Sequence, residues 1–142
     1  MIRVRHLLEA KHDAVYAVDP DDPVLEALRL MATHGVGALL VMRDRELCGV
    51  VSERDYARKV VLHGRSSAEM PVRQIMSAPV VSVTPEDSVA DCMRLMTERH
   101  IRHLAVVVDE HVTGVVSIGD LVRAIIEDQQ RTIEQLENYI KS

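Results

Sequence analysis

The sequence has no tryptophan, no phenylalanine and three tyrosines, although 47% of its 142 residues are apolar. Its apolar residues are therefore aliphatic, and a flat ring bound to them must lie mainly between Val, Ile, Leu and Ala or against Arg and His. Aromatic side chains are the usual stacking platform for single-stranded nucleic acid. Because they are scarce, and because the net charge is −5 with no basic block, a nucleic-acid partner is not expected.

Long apolar runs and metal-like cysteine spacings are also missing. No run approaches the roughly 18 residues of a membrane span, so no membrane partner is expected. The first residues, MIRVRHLLEAKHD, have no apolar core and do not resemble a signal peptide. Cys48 and Cys92 lie among apolar neighbours, which predicts buried reduced thiols and a cytoplasmic location.

The chain contains two copies of one unit. When it is shifted by 65 residues, residues 15–61 align with residues 80–126 without a gap, and 17 of the 47 aligned positions are identical. Most of the others exchange one aliphatic residue for another. A shorter similarity, between residues 4–8 and residues 72–76, precedes each copy at a shift of 68 and predicts a short helical lead-in. The predicted division is repeat 1 with its lead-in at 2–62, a linker at 63–71, repeat 2 with its lead-in at 72–128, and a helical extension at 129–142.

Each copy is predicted to follow the order β-α-β-β-α, which makes the fold class mixed α/β. Asp22 and Asp87 are placed to cap the first helix, with Pro23 at its first position in the first copy. Two aliphatic runs joined by a polar link predict a hairpin, and the second helix starts after Ser52 or Ser117. One such unit leaves a sheet face uncovered, so the two repeats are expected to pack through their sheets into one globule.

The junction between last strand and last helix has the same pattern in both copies. Gly49-Val50-Val51-Ser52-Glu53-Arg54-Asp55 corresponds to Gly114-Val115-Val116-Ser117-Ile118-Gly119-Asp120. One interpretation is a capping box, in which the Ser hydroxyl and the Asp carboxylate satisfy the first turn. The other is a nucleotide site, because a helix start suits phosphate and a carboxylate can accept both hydroxyls of a ribose. The Gly would then let a ligand approach the backbone, and the two interpretations can coexist.

The duplicated β-α-β-β-α order, closed by Gly-hydrophobic-hydrophobic-Ser-x-x-Asp, resembles a pair of cystathionine-β-synthase-type (CBS) domains over about residues 2–128. The resemblance implies a stand-alone regulatory module with a cleft between two repeats and two pseudo-symmetric nucleotide sites. Their ligands would be AMP, ADP, ATP or NAD(H), or in some members S-adenosylmethionine. It also implies that Asp55 and Asp120 hold ribose and that Ser52 and Ser117 contact phosphate. The base would lie near positions that include Ala17, Val36, Gly37, Ala38, Ser82 and His103.

The two copies differ where a phosphate would lie. The second has Arg102 before its strand where the first has Gly37, and the first has Arg54 where the second has Gly119. Arg54 and Arg102 are the candidates for phosphate contacts, since a guanidinium matches phosphate oxygens; the alternative is that both are ordinary surface arginines. With Ile118 and Gly119 at its helix start, the Ser117/Asp120 motif is the better candidate for AMP, and the two sites are expected to be unequal.

Neither a metal site nor catalysis is expected. His100 and His103 lead into a strand, and no cysteine or acidic residue completes a ligand set. Ser52 and Ser117 have no histidine at a fixed spacing that could activate them.

The last helix is expected to extend beyond its counterpart in repeat 1. Its apolar spacing alternates four and three residues along Val122, Ile126, Gln129, Ile133, Leu136 and Ile140. This stripe packs either on its own globule or across a homodimer.

The sequence therefore favours a nucleotide-sensing module that signals to a regulated protein in trans. The alternatives are a small nucleotide enzyme, which would need a nucleophile and a base, and a structural dimerisation module with non-functional clefts.

Overall fold

The computed structural model describes residues 1–10 and 15–141 of the chain. The helices are α1 (Val4–Ala10), α2 (Val24–His34), α3 (Glu53–Tyr56), α4 (Val89–Arg99) and α5 (Ile118–Lys141). The strands are β1 (Ala17–Val18), β2 (Ala38–Arg43), β3 (Glu46–Ser52), β4 (Ser82–Val83), β5 (His103–Val108) and β6 (His111–Ser117). A π-helical turn (Ala57–Val61) continues α3, and a 3-10 turn (Val72–Gln74) precedes β4.

The strands form two three-stranded sheets with the same topology. The first has the order β1-β2-β3 and the second β4-β5-β6. In each, the short strand pairs in parallel and the hairpin is antiparallel. Register shifts fall between Val41 and Met42 and between Val106 and Val107, again 65 residues apart. The mixed α/β class and the duplicated β-α-β-β-α order are confirmed.

The first helix of each copy is not capped as predicted. Pro23 is the N-cap of α2 and not its first residue, and Ser88 is the N-cap of α4, where its hydroxyl accepts the Asp91 N–H. Asp22 instead accepts the N–H of Asp19. Asp87 accepts that of Thr84 in the same way. Both aspartates therefore close the turn before the helix, and the prediction that they cap it was wrong.

Two compact units are present, and one of them is discontinuous in sequence. Ala14–Val81 forms one unit, and Met1–Asp13 with Ser82–Ser142 forms the other. Sequence order groups each lead-in with the repeat that follows it, whereas hydrogen bonds join each lead-in to the other repeat. Val4 N–H donates to the Asp87 carbonyl at 2.9 Å, and Val72 N–H donates to the Asp22 carbonyl at 2.8 Å.

Each unit has an aliphatic core that includes its lead-in valine. Val4 and Val72 are both 0% exposed. In the unit Ala14–Val81 the buried residues include Val18, Val24, Met31, Leu39, Val41, Val51 and Ile75. In the other unit they include Val89, Cys92, Met96, Leu104, Val106, Val116 and Leu121.

Candidate functional site

The first Ser-x-x-Asp motif lies where β3 ends and α3 begins. Ser52 Oγ accepts the Asp55 N–H at 3.1 Å, and Asp55 Oδ2 accepts the Ser52 N–H at 2.9 Å. The Ser52 hydroxyl also lies 3.0 Å from Asp55 Oδ2, to which it donates. These contacts form the complete capping box, so the structural interpretation of this motif is confirmed.

The second motif has the same arrangement at the start of α5. Ser117 Oγ accepts the Asp120 N–H at 3.2 Å, and Asp120 Oδ2 accepts the Ser117 N–H at 2.9 Å. The Asp120 side chain is 13% exposed, close to the 14% of Asp55. In both motifs the cap uses Oδ2, and Oδ1 of each aspartate faces a cation of the following turn. The cap therefore does not by itself use both carboxylate oxygens.

The hairpin places most of the other predicted residues beside these motifs. Ala38 pairs with Ser52, and His103 pairs with Ser117. The Gly37 carbonyl accepts the Glu53 N–H at 3.0 Å, and in the second copy the Arg102 carbonyl accepts the Ile118 N–H at 2.9 Å. Two predicted residues lie on the next strand, opposite positions two residues beyond Ala38 and His103 along the hairpin; these are Ala17 and Ser82.

Each unit thus contains one complete set of predicted residues. Val36 is half-buried just before the first hairpin, and Arg54 and Gly119 are exposed at the second helical position. The set in the first unit is Ala17, Val36, Gly37, Ala38, Ser52, Arg54 and Asp55. The set in the second unit is Ser82, Arg102, His103, Ser117, Ile118, Gly119 and Asp120.

Lys59 was missed by the sequence reasoning and lies against the first motif. Its Nζ is 3.2 Å from Asp55 Oδ1 and donates to the Ile75 carbonyl at 2.8 Å. Ser77 Oγ lies 3.5 Å from the same Asp55 oxygen. In the second copy the aligned residue is Ala124, and Asp120 Oδ1 faces Arg123 at 3.8 Å instead. Comparing the copies four residues after each aspartate could have revealed this difference.

The glycines of the two motifs face protein segments, not an open ligand path. A Cβ on Gly49 would lie 2.8 Å from Met76 Sδ and 2.9 Å from the Ser77 carbonyl oxygen. A Cβ on Gly114 would lie 2.7 Å from Leu8 Cδ2. The expectation that these glycines admit a ligand to the backbone was therefore wrong. They admit the segments that follow the lead-in valines.

The cysteines are free thiols, and Cys92 is fully buried. Burial, together with the nearby carboxylates of Asp87 and Asp91, raises the pKa of the Cys92 thiol to about 11. This thiol therefore stays protonated at neutral pH and is a poor nucleophile. Within residues 1–10 and 15–141, no three His, Cys, Asp or Glu side chains lie together in a way that could hold a metal ion. Nor does any described helix have the length and apolarity needed to cross a membrane.

Comparison with known families decides what kind of module this is. A model of the CBS domain matches residues 4–62 and again residues 72–127. This chain belongs to the CBS-domain family. It is 42% identical over 126 residues to the CBS domain-containing protein CBSX3, mitochondrial, of Arabidopsis thaliana. The aligned part spans 85% of this chain and 61% of CBSX3.

Solved structures of CBS-domain proteins share the fold. A protein with CBS domains from Burkholderia ambifaria MC40-6 is 48% identical, with a TM-score of 0.86 over 89% of this chain and 96% of that one. The CBS domain protein PAE2072 from Pyrobaculum aerophilum, which was solved in complex with AMP, is 27% identical with a TM-score of 0.77. That match covers 89% of this chain and 97% of the other. The resemblance to tandem CBS repeats is thereby confirmed.

Proposed function

We propose that this CBS module is a non-catalytic sensor that binds AMP, ADP, ATP or NAD(H) at its two Ser-x-x-Asp motifs and signals to a regulated protein in trans. The observation that carries the proposal is the repeated junction of strand and helix, with a Ser hydroxyl and an Asp carboxylate in matching geometry in both units. The AMP complex of PAE2072, a relative with the same fold, supports an adenine nucleotide as ligand.

Each group at the junction has a chemical role in this proposal. The start of a helix carries a partial positive charge that favours phosphate. The Ser hydroxyl can donate to a phosphate oxygen while its own oxygen still accepts the capping N–H. The Asp carboxylate accepts the ribose hydroxyls, and the aliphatic strands beside the motif provide a surface for the base. A pocket of this kind needs no aromatic side chain.

The two sites are unequal in this proposal, and the Ser117/Asp120 motif is the stronger. It begins α5, a helix of 24 residues, whereas α3 has four residues before the π-helical turn. The first helical residue is Ile118 in the second motif and the anionic Glu53 in the first, where it would repel a phosphate. Lys59 also holds Asp55 through Oδ1, so a ribose must displace an ion pair there.

A thermal shift measurement with AMP, ATP, NADH and S-adenosylmethionine tests the proposal. A ligand at 100 times its dissociation constant stabilises the folded state by about 2.7 kcal/mol, which raises the melting temperature by several degrees. We expect a shift with an adenine nucleotide, and we expect Asp120→Ala to reduce it by more than half. If none of these ligands stabilises the protein, the structural dimerisation module is the better description.

Ser88→Ala is the matched control, because it separates binding from capping. Ser88 caps α4 by accepting the Asp91 N–H at 3.0 Å, in the same unit and with the same spacing as Ser117 and Asp120. Loss of either cap should cost about 1 kcal/mol. Only Asp120→Ala should also weaken the nucleotide response. Equal responses in the two variants would contradict the ribose role of Asp120.

A cytoplasmic location and a partner in trans are part of the same proposal. The free thiols of Cys48 and Cys92 fit a reducing compartment. Nucleotide binding would change the surface offered to the partner only if the ligand favours one arrangement of the module over another. Comparing pull-downs with and without AMP would test that coupling.

A further inference from the structure

The last part of α5 extends into solvent. Every residue from 127 to 141 is exposed. An isolated helix of about 15 residues is only marginally stable in water. A helix of this length is expected to be stabilised by packing, yet within the described part of the chain no buried side chain lies beyond Ala124.

The exposed segment carries a continuous apolar stripe. Ile126 is 59% exposed, Ile133 47% and Leu136 58%. Val122 and Ile140 lie on the same stripe and are also exposed. Their spacing alternates four and three residues, which is the repeat of a two-helix seam and not that of a single helix packed on a sheet. The expectation that this stripe packs on its own globule was therefore wrong for residues 127–141.

The charges beside the stripe indicate what covers it. Arg123 and Glu137 occupy the same flanking position two heptads apart, with the neutral Gln130 between them. In an antiparallel pair of identical helices, equivalent flanking positions of the two copies face each other. Arg123 would then face Glu137 of the second copy, and Glu137 would face Arg123, so the symmetry would make two ion pairs.

The same register also matches the apolar residues. It sets Val122 opposite Ile140 of the second copy and Ile126 opposite Leu136. The polar Gln129 falls near the centre, opposite Ile133. A parallel pair would instead align Gln130 with Ile125 and Glu137 with Thr132 at the flanks, which gives no pair of opposite charges. The charge pattern therefore favours the antiparallel arrangement.

We infer that α5 pairs antiparallel with α5 of a second copy of this chain, through the stripe formed by Val122, Ile126, Gln129, Ile133, Leu136 and Ile140. Such a pair has two-fold symmetry, which is the commonest symmetry of soluble homo-oligomers. It buries apolar surface that the described chain leaves in water. It does not depend on the ability of the module to bind a nucleotide.

The first test measures mass in solution for the full chain and for two α5 variants. Light scattering after gel filtration should give a dimer for the unchanged protein. Ile133→Glu should raise the dimer dissociation constant about 100-fold or more, because each copy then places a charge in the apolar seam. Arg131→Glu lies on the opposite side of the same helix and should leave the dimer intact. A monomer for the unchanged protein, or a dimer that Ile133→Glu does not weaken, would overturn the inference.

The second test determines the direction of the helices by exchanging charges. Arg123→Glu alone and Glu137→Arg alone should each weaken the dimer about three- to tenfold, since each sets like charges opposite one another. The double variant should restore it. In a parallel pair the two positions are about 21 Å apart along the helix and cannot compensate each other. Failure of the double variant to restore the dimer, with helix content unchanged by circular dichroism, would exclude the antiparallel arrangement.

Discussion

Lys59 links the first Ser-x-x-Asp motif to the segment that ends in Ser77. Its ammonium contacts both the Asp55 carboxylate and the Ile75 carbonyl. A lysine used in this way competes with a ribose for Asp55, whereas the second copy has Ala124 at the aligned position. One residue therefore distinguishes two otherwise similar motifs.

Lys59→Ala is expected to strengthen nucleotide binding at the first motif. Removing a partly exposed ion pair changes the free energy by roughly 0.2–1 kcal/mol, so AMP affinity there should rise by up to about fivefold. Calorimetric titration in an Asp120→Ala background reads the first motif alone. Arg58→Ala removes the same charge from the neighbouring position and should give no such gain. A weaker affinity in Lys59→Ala would mean that the lysine binds phosphate, contrary to this expectation.

Gly49 and Gly114 give a second comparison at the scale of single residues. An added Cβ at Gly49 meets a backbone oxygen at 2.9 Å as well as Met76 Sδ, while at Gly114 its close contact is the end of the flexible Leu8 side chain. Gly49→Ala should therefore destabilise its unit by about 1–3 kcal/mol, and Gly114→Ala by less than about 1 kcal/mol. Thermal unfolding compares them, with Gly37→Ala as a control that meets Glu53 Oε1 at an ordinary 3.6 Å. Equal losses at Gly49 and Gly114 would show that the Ser77 backbone moves as easily as Leu8.

The lead-in segments are the elements whose partners sequence order does not reveal. Arg3 bridges to Ser88 and Pro71 bridges to Pro23, so each lead-in adds to the start of the first helix of the other copy. Val4 and Val72 are the fully buried anchors. Each anchor should therefore stabilise the repeat that it contacts, not the repeat that follows it in sequence.

Val4→Ala and Val72→Ala test this crossed arrangement. Each removes buried apolar volume and should cost about 1–3 kcal/mol. Hydrogen exchange followed by mass spectrometry reads the two units separately. Val4→Ala should lower protection mainly in residues 82–126, and Val72→Ala mainly in residues 15–62. The reverse pattern would mean that each lead-in stabilises its own repeat.

For the whole molecule, the repeat predicted the fold because aligned residues have matching environments. The shift of 65 residues reproduces every strand, the first helix of each copy and both capping boxes. Partners that depend on long-range packing were not predictable. The Asp22 and Asp87 turns needed the loop geometry, and the contacts of Gly49 and Gly114 needed the path of the lead-ins. The contact of Lys59 with the Ile75 carbonyl needed the fold of a segment 16 residues away.

The discontinuous unit also sets an order of assembly during synthesis. Ala14–Val81 is continuous, so all of its internal partners have left the ribosome once Val81 has emerged. Val4 must wait for Asp87, to which its amide is bonded. At about 5–20 residues per second this delay is roughly 4–16 seconds. During that time the apolar side of α1 has no native partner, and a nascent chain of this protein presents that short helix to chaperones before its second repeat exists.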